Sequence, residues 1–230
     1  MLTPARRRGV EILDDPAIDP AIRRRSIADV TRSNRWLGGL RAGVLALADA
    51  GRPHGAYTLL DVGTGLADIP ECACREAQRA GCAPITIGVD EAPSLLASAR
   101  GRIDFCIAAN ARALPFRNHS IDVVMCSQLL HHFEATDAEE VLAELDRVAR
   151  HAVVVSDLRR SWIAAAGFWI VSWVLRFHRV TRHDGVVSVL RGFTADELRT
   201  HVATATGSTP TLRRRLGFRL TAHWSPRGVA

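Results

Sequence analysis

Residues 59–70 read L-L-D-V-G-T-G-L-A-D-I-P. Apolar residues lead into Asp61, Gly63 and Gly65 follow at a spacing of two, and a helical pattern resumes at Ile69. This order predicts a strand, a tight turn and a helix start. Glycine at 63 and 65 lets a ligand approach the backbone closely, as a turn that cradles a nucleotide-like cofactor requires. A third glycine is often found at the position held here by Ala67. Any tight strand-to-helix turn favours glycine, so the charges around this one have to say what it binds.

A dinucleotide sets its pyrophosphate at the positive end of the following helix. Here Asp61 precedes the turn and Asp68 falls in the first helical turn, and both carboxylates would repel phosphate. They suit a ligand with a cationic end, such as the ammonium and sulfonium of S-adenosyl-L-methionine. With Asp90 closing the next apolar run, residues 61–67 resemble the cofactor site of class I S-adenosylmethionine-dependent methyltransferases. The resemblance covers about residues 59–223. It implies an α/β, Rossmann-like fold: a seven-stranded, mostly parallel sheet with a C-terminal antiparallel strand, here preceded by a helical N-terminal cap. The expected division is a cap over 1–55 and a methyltransferase domain over 56–230, with an apolar substrate-lid insertion at about 159–192.

At 230 residues the chain is long enough to bury one substantial core. The formal net charge is +6, and all 30 basic residues are arginine. A basic balance can serve nucleic acid, but the clusters at 6–8, 23–25 and 213–215 each sit beside acidic or apolar sequence, which argues against it. Five cysteines with no C-x-x-C pair give neither a zinc site nor a disulfide framework. No metal is expected. Buried thiols and the lack of a signal-peptide pattern at the N-terminus point to the cytoplasm.

Along residues 1–55 the pattern predicts helices near 6–13, 20–37 and 39–50, punctuated by Pro4, Pro16 and Pro20. After the glycine turn come a helix over 69–80 and a strand over 85–90. Asp90 lies 29 positions (90 − 61) after Asp61, a suitable length for a βαβ unit, and a carboxylate at that strand end can accept bonds from both ribose hydroxyls. Residues 110–116, N-A-R-A-L-P-F, are similar to the D-A-x-x-L-P-F segment of methyltransferases of ubiquinone and menaquinone biosynthesis, with Asn110 where aspartate is usual. The amide still accepts through oxygen but carries no charge, and the Ala111 N–H remains available to adenine.

Buried strands are expected at 105–108, 121–127 and 152–158, with a helix over 137–150 between the last two. Asp157 closes the last of these strands, where open α/β sheets gather their ligands. His131 and His132 are adjacent, so one strand or helix cannot turn both toward one pocket; His132 is the candidate retained. Residues 162–177 form the most apolar stretch, yet 16 residues fall short of the roughly 20 that span a bilayer. Two readings stay open for it, a lid over an apolar acceptor and an interfacial helix touching a membrane surface. A polar loop is expected at 180–185, with His183 beside Asp184. Thr194 and Glu197 make a capping box, and 211–216 and 217–223 read as a strand pair.

Within the resemblance, the expected cofactor residues are Asp61, Gly63, Gly65, Asp68, Asp90, Asn110 and Ala111. The expected acid or base is His183, with His132 and Asp157 behind it. The chain is also similar to small bacterial methyltransferases of polyketide and phenolic-lipid pathways, which implies O-methylation of a small apolar aromatic acceptor. C-methylation of a quinol-type ring, methylation of RNA or protein, and a non-catalytic binding role are the alternatives.

Overall fold

The computed structural model describes residues 3–7, 9–15, 17–51 and 53–227. Arg8 and Pro16, which figured in the reading of the first segment, lie outside the described residues. Seven strands form one sheet in the order β3-β2-β1-β4-β5-β7-β6. They are β1 (Ala56–Val62), β2 (Ala83–Asp90), β3 (Phe105–Ala108), β4 (Ile121–Ser127), β5 (Ala149–Leu158), β6 (Thr211–Arg215) and β7 (Arg219–Trp224). The first five run parallel, whereas β7 is antiparallel to both β5 and β6. This is the expected Rossmann-like sheet.

Helices cover both faces, as a parallel sheet with apolar strands requires. On one face α2 (Gly39–Ala50) and α3 (Asp68–Arg79) bury Ala46, Leu47, Ile69 and Ala73 against Leu59, Met125 and Val154. On the other, α5 (Ala135–Val148) and α8 (Ala195–Thr206) pack Leu142, Leu145, Leu198 and Val202 on Val124 and Val153. The Thr194 capping box is formed, with Thr194 Oγ1 accepting from the Glu197 amide and Glu197 from the Thr194 amide. Asp122 is tied to the Thr58 amide and to Arg150, a structural post at the far end of β4.

Before the sheet, α1 (Pro20–Trp36) starts at Asp19, whose side chain accepts from the Ala21 and Ile22 amides, with proline at the first helical position. Among the described residues of 6–13 the expected helix is replaced by a 3-10 turn at Ile12–Asp14, because the hydrogen bonds of this segment go elsewhere. The Ile12 and Leu13 amides donate to the two Asp184 oxygens at 2.8 and 2.9 Å, and the Arg6 guanidinium donates to the Arg191 and Phe133 carbonyls.

After β5, α6 (Trp162–Val174) and α7 (Arg179–Arg191) form a helical pair. The loop expected at 180–185 is therefore the first half of α7. His178 caps it, and Gly185 is tolerated inside the helix because the Phe168 ring of α6 fills the space that a Cβ would take. The remaining helix is the short α4 (Pro93–Ala99).

Candidate active site

The sheet reverses its order between β1 and β4, and the crevice beyond the carboxyl ends of those strands is where such sheets bind ligands. The turn after β1 is built for close approach. Gly63 and Gly65 hold φ of +74° and +53°, and a Cβ at Gly65 would project into open space. The Gly63 and Thr64 amides donate to the Val89 carbonyl, and the Gly65 amide donates to Asp90 Oδ2 at 2.9 Å. The other oxygen of Asp90 accepts from Ala92, so this acid fixes the end of β2 beside the turn. Asp61 is 2 % exposed, and among the described residues nothing donates to its Oδ1. Burial pushes its carboxyl up to about 7, with the charge of Asp90 adding and the Thr64 hydroxyl opposing. A buried, unpartnered carboxylate oxygen beside an open backbone cradle fits a cationic ligand end.

A cavity of about 350 Å³ opens from this turn toward the N-terminal segment and the α6–α7 pair. Its apolar side includes Leu13 and the side chains of Ile27 and Val30 on α1, with Phe168 on α6 and Val189 on α7. Its polar side includes Asp61, Ser127, His131, His132 and Arg219. His131 and His132 do both line it, contrary to expectation. They sit in a 3-10 turn (Leu130–His132) after β4, and neither strand nor α-helix geometry governs them there; their ring centroids are 4.3 Å apart.

His131 is 3 % exposed, and its Nδ1 lies 2.6 Å from Asp157 Oδ1. Its Nε2 is 4.0 Å from Glu11 Oε1. Burial would raise the Asp157 carboxyl. The charge and hydrogen bond of His131, with the Leu158 and His131 amides, outweigh it and hold the group below the ordinary range. His132 is pushed upward, since Asp14 and Glu11 outweigh the opposing effect of burial. Glu11 completes a cluster with the two histidines, but Arg191 Nη1 already stands 3.7 Å from its carboxylate and supplies a positive charge there. Arg219 is buried and its Nη1 donates to Gln128, while its Nε has no partner among the described residues. Burial pushes this guanidinium down to about 10, still protonated at neutral pH.

Residues 60–155 match the methyltransferase domain family. The chain contains a class I S-adenosylmethionine-dependent methyltransferase domain. Among curated proteins none matches this methyltransferase in sequence. Solved structures share its fold. A S-adenosylmethionine-dependent methyltransferase of Aquifex aeolicus is 15% identical, covers 90% of this chain and 98% of its own, and has a TM-score of 0.61. A possible histamine N-methyltransferase of Thermotoga maritima is 13% identical over 90% of this chain and 99% of its own, with a TM-score of 0.62. The magnesium protoporphyrin IX methyltransferase of Synechocystis, solved with S-adenosylhomocysteine, is 12% identical over 92% and 90%, with a TM-score of 0.57.

S-adenosyl-L-methionine is the cofactor of this methyltransferase. The expected residues fall into two groups. Asp61, Gly63, Gly65 and Asp68 line the cavity, and Asp90 braces it through Gly65. Asp68 faces the cavity but is paired with Arg102 at 2.7 Å, so its charge is already partnered. Asn110 turns its side-chain oxygen to the Arg112 amide, and Ala111 is buried beyond β3. Asp157 stands behind His131, off the cavity wall. His183 is half-exposed on the outer side of α7, bonded to Asp184, and does not reach the cavity. Of the residues that line the cavity, sequence reasoning set His131 behind His132 and did not single out Glu11 or Arg219. Only the first carried a signal, a histidine directly after a buried strand.

Proposed function

We propose that the enzyme transfers a methyl group to a ring hydroxyl of a small, largely apolar acceptor, with His131 as the base. The observation that carries this reading is His131 on the wall of a mostly apolar cavity, with Asp157 paired to its Nδ1 from behind. S-adenosylmethionine supplies a methyl carbon on a sulfonium, which leaves as a neutral thioether when a nucleophile attacks in line. Gly63, Gly65 and Asp90 hold the nucleoside end, Asp61 holds the ammonium, and Asn110 and Ala111 serve the adenine. Residues 1–55 and 159–192 act as cap and lid, since Ile27, Val30 and Phe168 enclose the acceptor space and exclude water.

A phenol ionises near pH 10, so a base within hydrogen-bond reach raises the reactive fraction at neutral pH. Asp157 on Nδ1 favours the tautomer that leaves Nε2 unprotonated, 4.0 Å from Glu11 Oε1. The base role thus belongs to His131 in this proposal, with His132 beside it and Asp157 as a positioning residue, rather than to His183. Arg219 holds the oxyanion as it forms, which favours acidic hydroxyls of phenolic or polyketide type. Secondary metabolism and a cytoplasmic setting are part of the same reading.

The experiment is transfer from methyl-labelled S-adenosylmethionine into a bacterial lysate and a panel of alkylated phenols and hydroxypyrones, followed by partition of the label. Label in the organic phase, released by ether-cleaving demethylation, supports O-methylation. Label that resists demethylation moves the assignment to carbon, and label in nucleic acid or protein overturns the acceptor class.

A further inference from the structure

The exposed side of α6 is apolar in a way that the folded chain does not use. Trp162, Ile163, Ala166, Trp169, Ile170, Trp173 and Val174 are the exposed positions of this helix. At 100° per residue they fall within one arc of about 140°. Trp169, Ile170 and Trp173 are 53, 57 and 55 % exposed, and Val174 is 74 % exposed. The opposite side is spent on packing: Ala164 and Ala165 join Val189 and Leu190 of α7, and Phe168 turns to the acceptor cavity. The usual order of an amphipathic surface helix is therefore inverted, with the large aromatic side chains outward.

Arginine frames this face. The Arg7 guanidinium lies over the Trp162 ring at 5.1 Å and that of Arg182 over Trp173 at 3.6 Å. Arg32 donates to the Leu175 carbonyl just past the helix, and Arg176 and Arg179 follow. No aspartate or glutamate occurs between residues 158 and 183. The helix is also too short to cross a bilayer, and no helix among the described residues is long and apolar enough to do so. Tryptophan rings with a basic border match the headgroup boundary of an anionic membrane, where the rings enter the acyl edge and the guanidinium groups meet lipid phosphates.

We propose that this face of α6 docks on an anionic lipid bilayer, lying in its surface. A second copy of the chain is the poorer occupant. A self-complementary contact would set one arginine border against its twin with no acid from this segment to offset it. The docking stands apart from the choice of acceptor, although it would put Phe168 and the cavity within one helix width of the lipid.

The test is co-sedimentation of the full chain with vesicles of phosphatidylcholine alone or with roughly one-third phosphatidylglycerol. Binding to the anionic vesicles about tenfold stronger or more, with blue-shifted tryptophan emission and loss in high salt, is expected. Trp169→Ser with Trp173→Ser should weaken it about tenfold while S-adenosylmethionine affinity stays at the wild-type value, which certifies the fold. Arg179→Gln with Arg182→Gln should flatten the salt dependence. A folded chain that ignores anionic vesicles overturns the proposal, as does binding that both variants leave unchanged. A dimer that the tryptophan variant abolishes, in a chain inert to vesicles, overturns it in favour of a second copy. Methyl transfer to a soluble acceptor without lipid is measured in parallel, so loss of docking and loss of the catalytic reading register separately.

Discussion

His131, in the 3-10 turn that follows β4, and Asp157, near the end of the adjacent parallel strand β5, form one buried pair. The Nδ1–Oδ1 distance is 2.6 Å, and Asp157 Oδ2 also accepts from the His131 backbone amide at 3.1 Å. The carboxylate therefore fixes both the ring's position and its tautomer. His131→Ala should lower kcat by about 10²-fold or more, the usual reach of general-base catalysis, with cofactor affinity unchanged. Asp157→Asn should lower kcat less and alter its pH profile, because the amide can hold either tautomer. His183→Ala, off the cavity, should stay within a few-fold of wild type. Steady-state kinetics of the three variants across pH checks this, and a near-normal kcat in His131→Ala would remove the base from the mechanism.

Asp61 should make cofactor binding pH-dependent. Its folded value of about 7 lies above the ordinary 3.8, so the stability it contributes to the free protein is complete below 3.8 and is lost as pH rises through 7. A cationic ligand end favours the ionised form and pulls the proton off. Affinity for S-adenosylmethionine should rise with pH, by at most about tenfold per unit, and level off above 7. Calorimetry in buffers of different ionisation enthalpy should show about half a proton released at pH 7. Asp61→Asn should bind more weakly with a flat profile; a wild-type affinity that ignores pH between 5 and 8 would contradict the assignment.

The sheet was legible because the strands are continuous apolar runs and the turn carries its own glycines and acids. Asp90 was legible for the same reason, as an acid ending such a run. The errors lie where distant chain segments set local structure. Residues 6–13 have helical spacing, yet Asp184 takes the Ile12 and Leu13 amides that a helix would have used. His183 looked apt beside an acid, but α7 turns it outward and spends Asp184 on the N-terminal segment. Glu11 and Arg219 reach the cavity from opposite ends of the chain, and no local pattern marks a residue for that.

Asp184 pins the N-terminal segment over the cavity, and its loss should be visible as opening. Both oxygens accept backbone amides of the 3-10 turn that carries Leu13 and Asp14 to the cavity wall. Asp184→Ala should cost about 2 kcal/mol in urea unfolding, the scale of losing bonds to a charged acceptor. It should also speed proteolytic cleavage before α1. Asp184→Asn, which keeps one acceptor oxygen, should fall between. Equal cleavage rates in wild type and Asp184→Ala would show that other contacts hold the segment.

Arg219 should decide which hydroxyls react. It is a buried guanidinium on the cavity wall whose Nε has no partner among the described residues, and the Asp157 charge helps to keep it protonated. An acceptor that ionises readily presents an oxyanion that can pair with it, while a neutral hydroxyl leaves its N–H unsatisfied. Arg219→Met keeps most of the side-chain volume and removes the charge. The variant should raise KM for acidic ring hydroxyls by about tenfold or more, the scale of one lost charged hydrogen bond, and barely change KM for weakly acidic ones. Cofactor affinity should be unaffected. Rate constants for a series of ring-substituted phenols of graded acidity read this directly: the wild type should discriminate along the series and Arg219→Met should not. Parallel trends in the two proteins would mean that selectivity comes from the apolar walls, and that Arg219 serves only to balance Asp157.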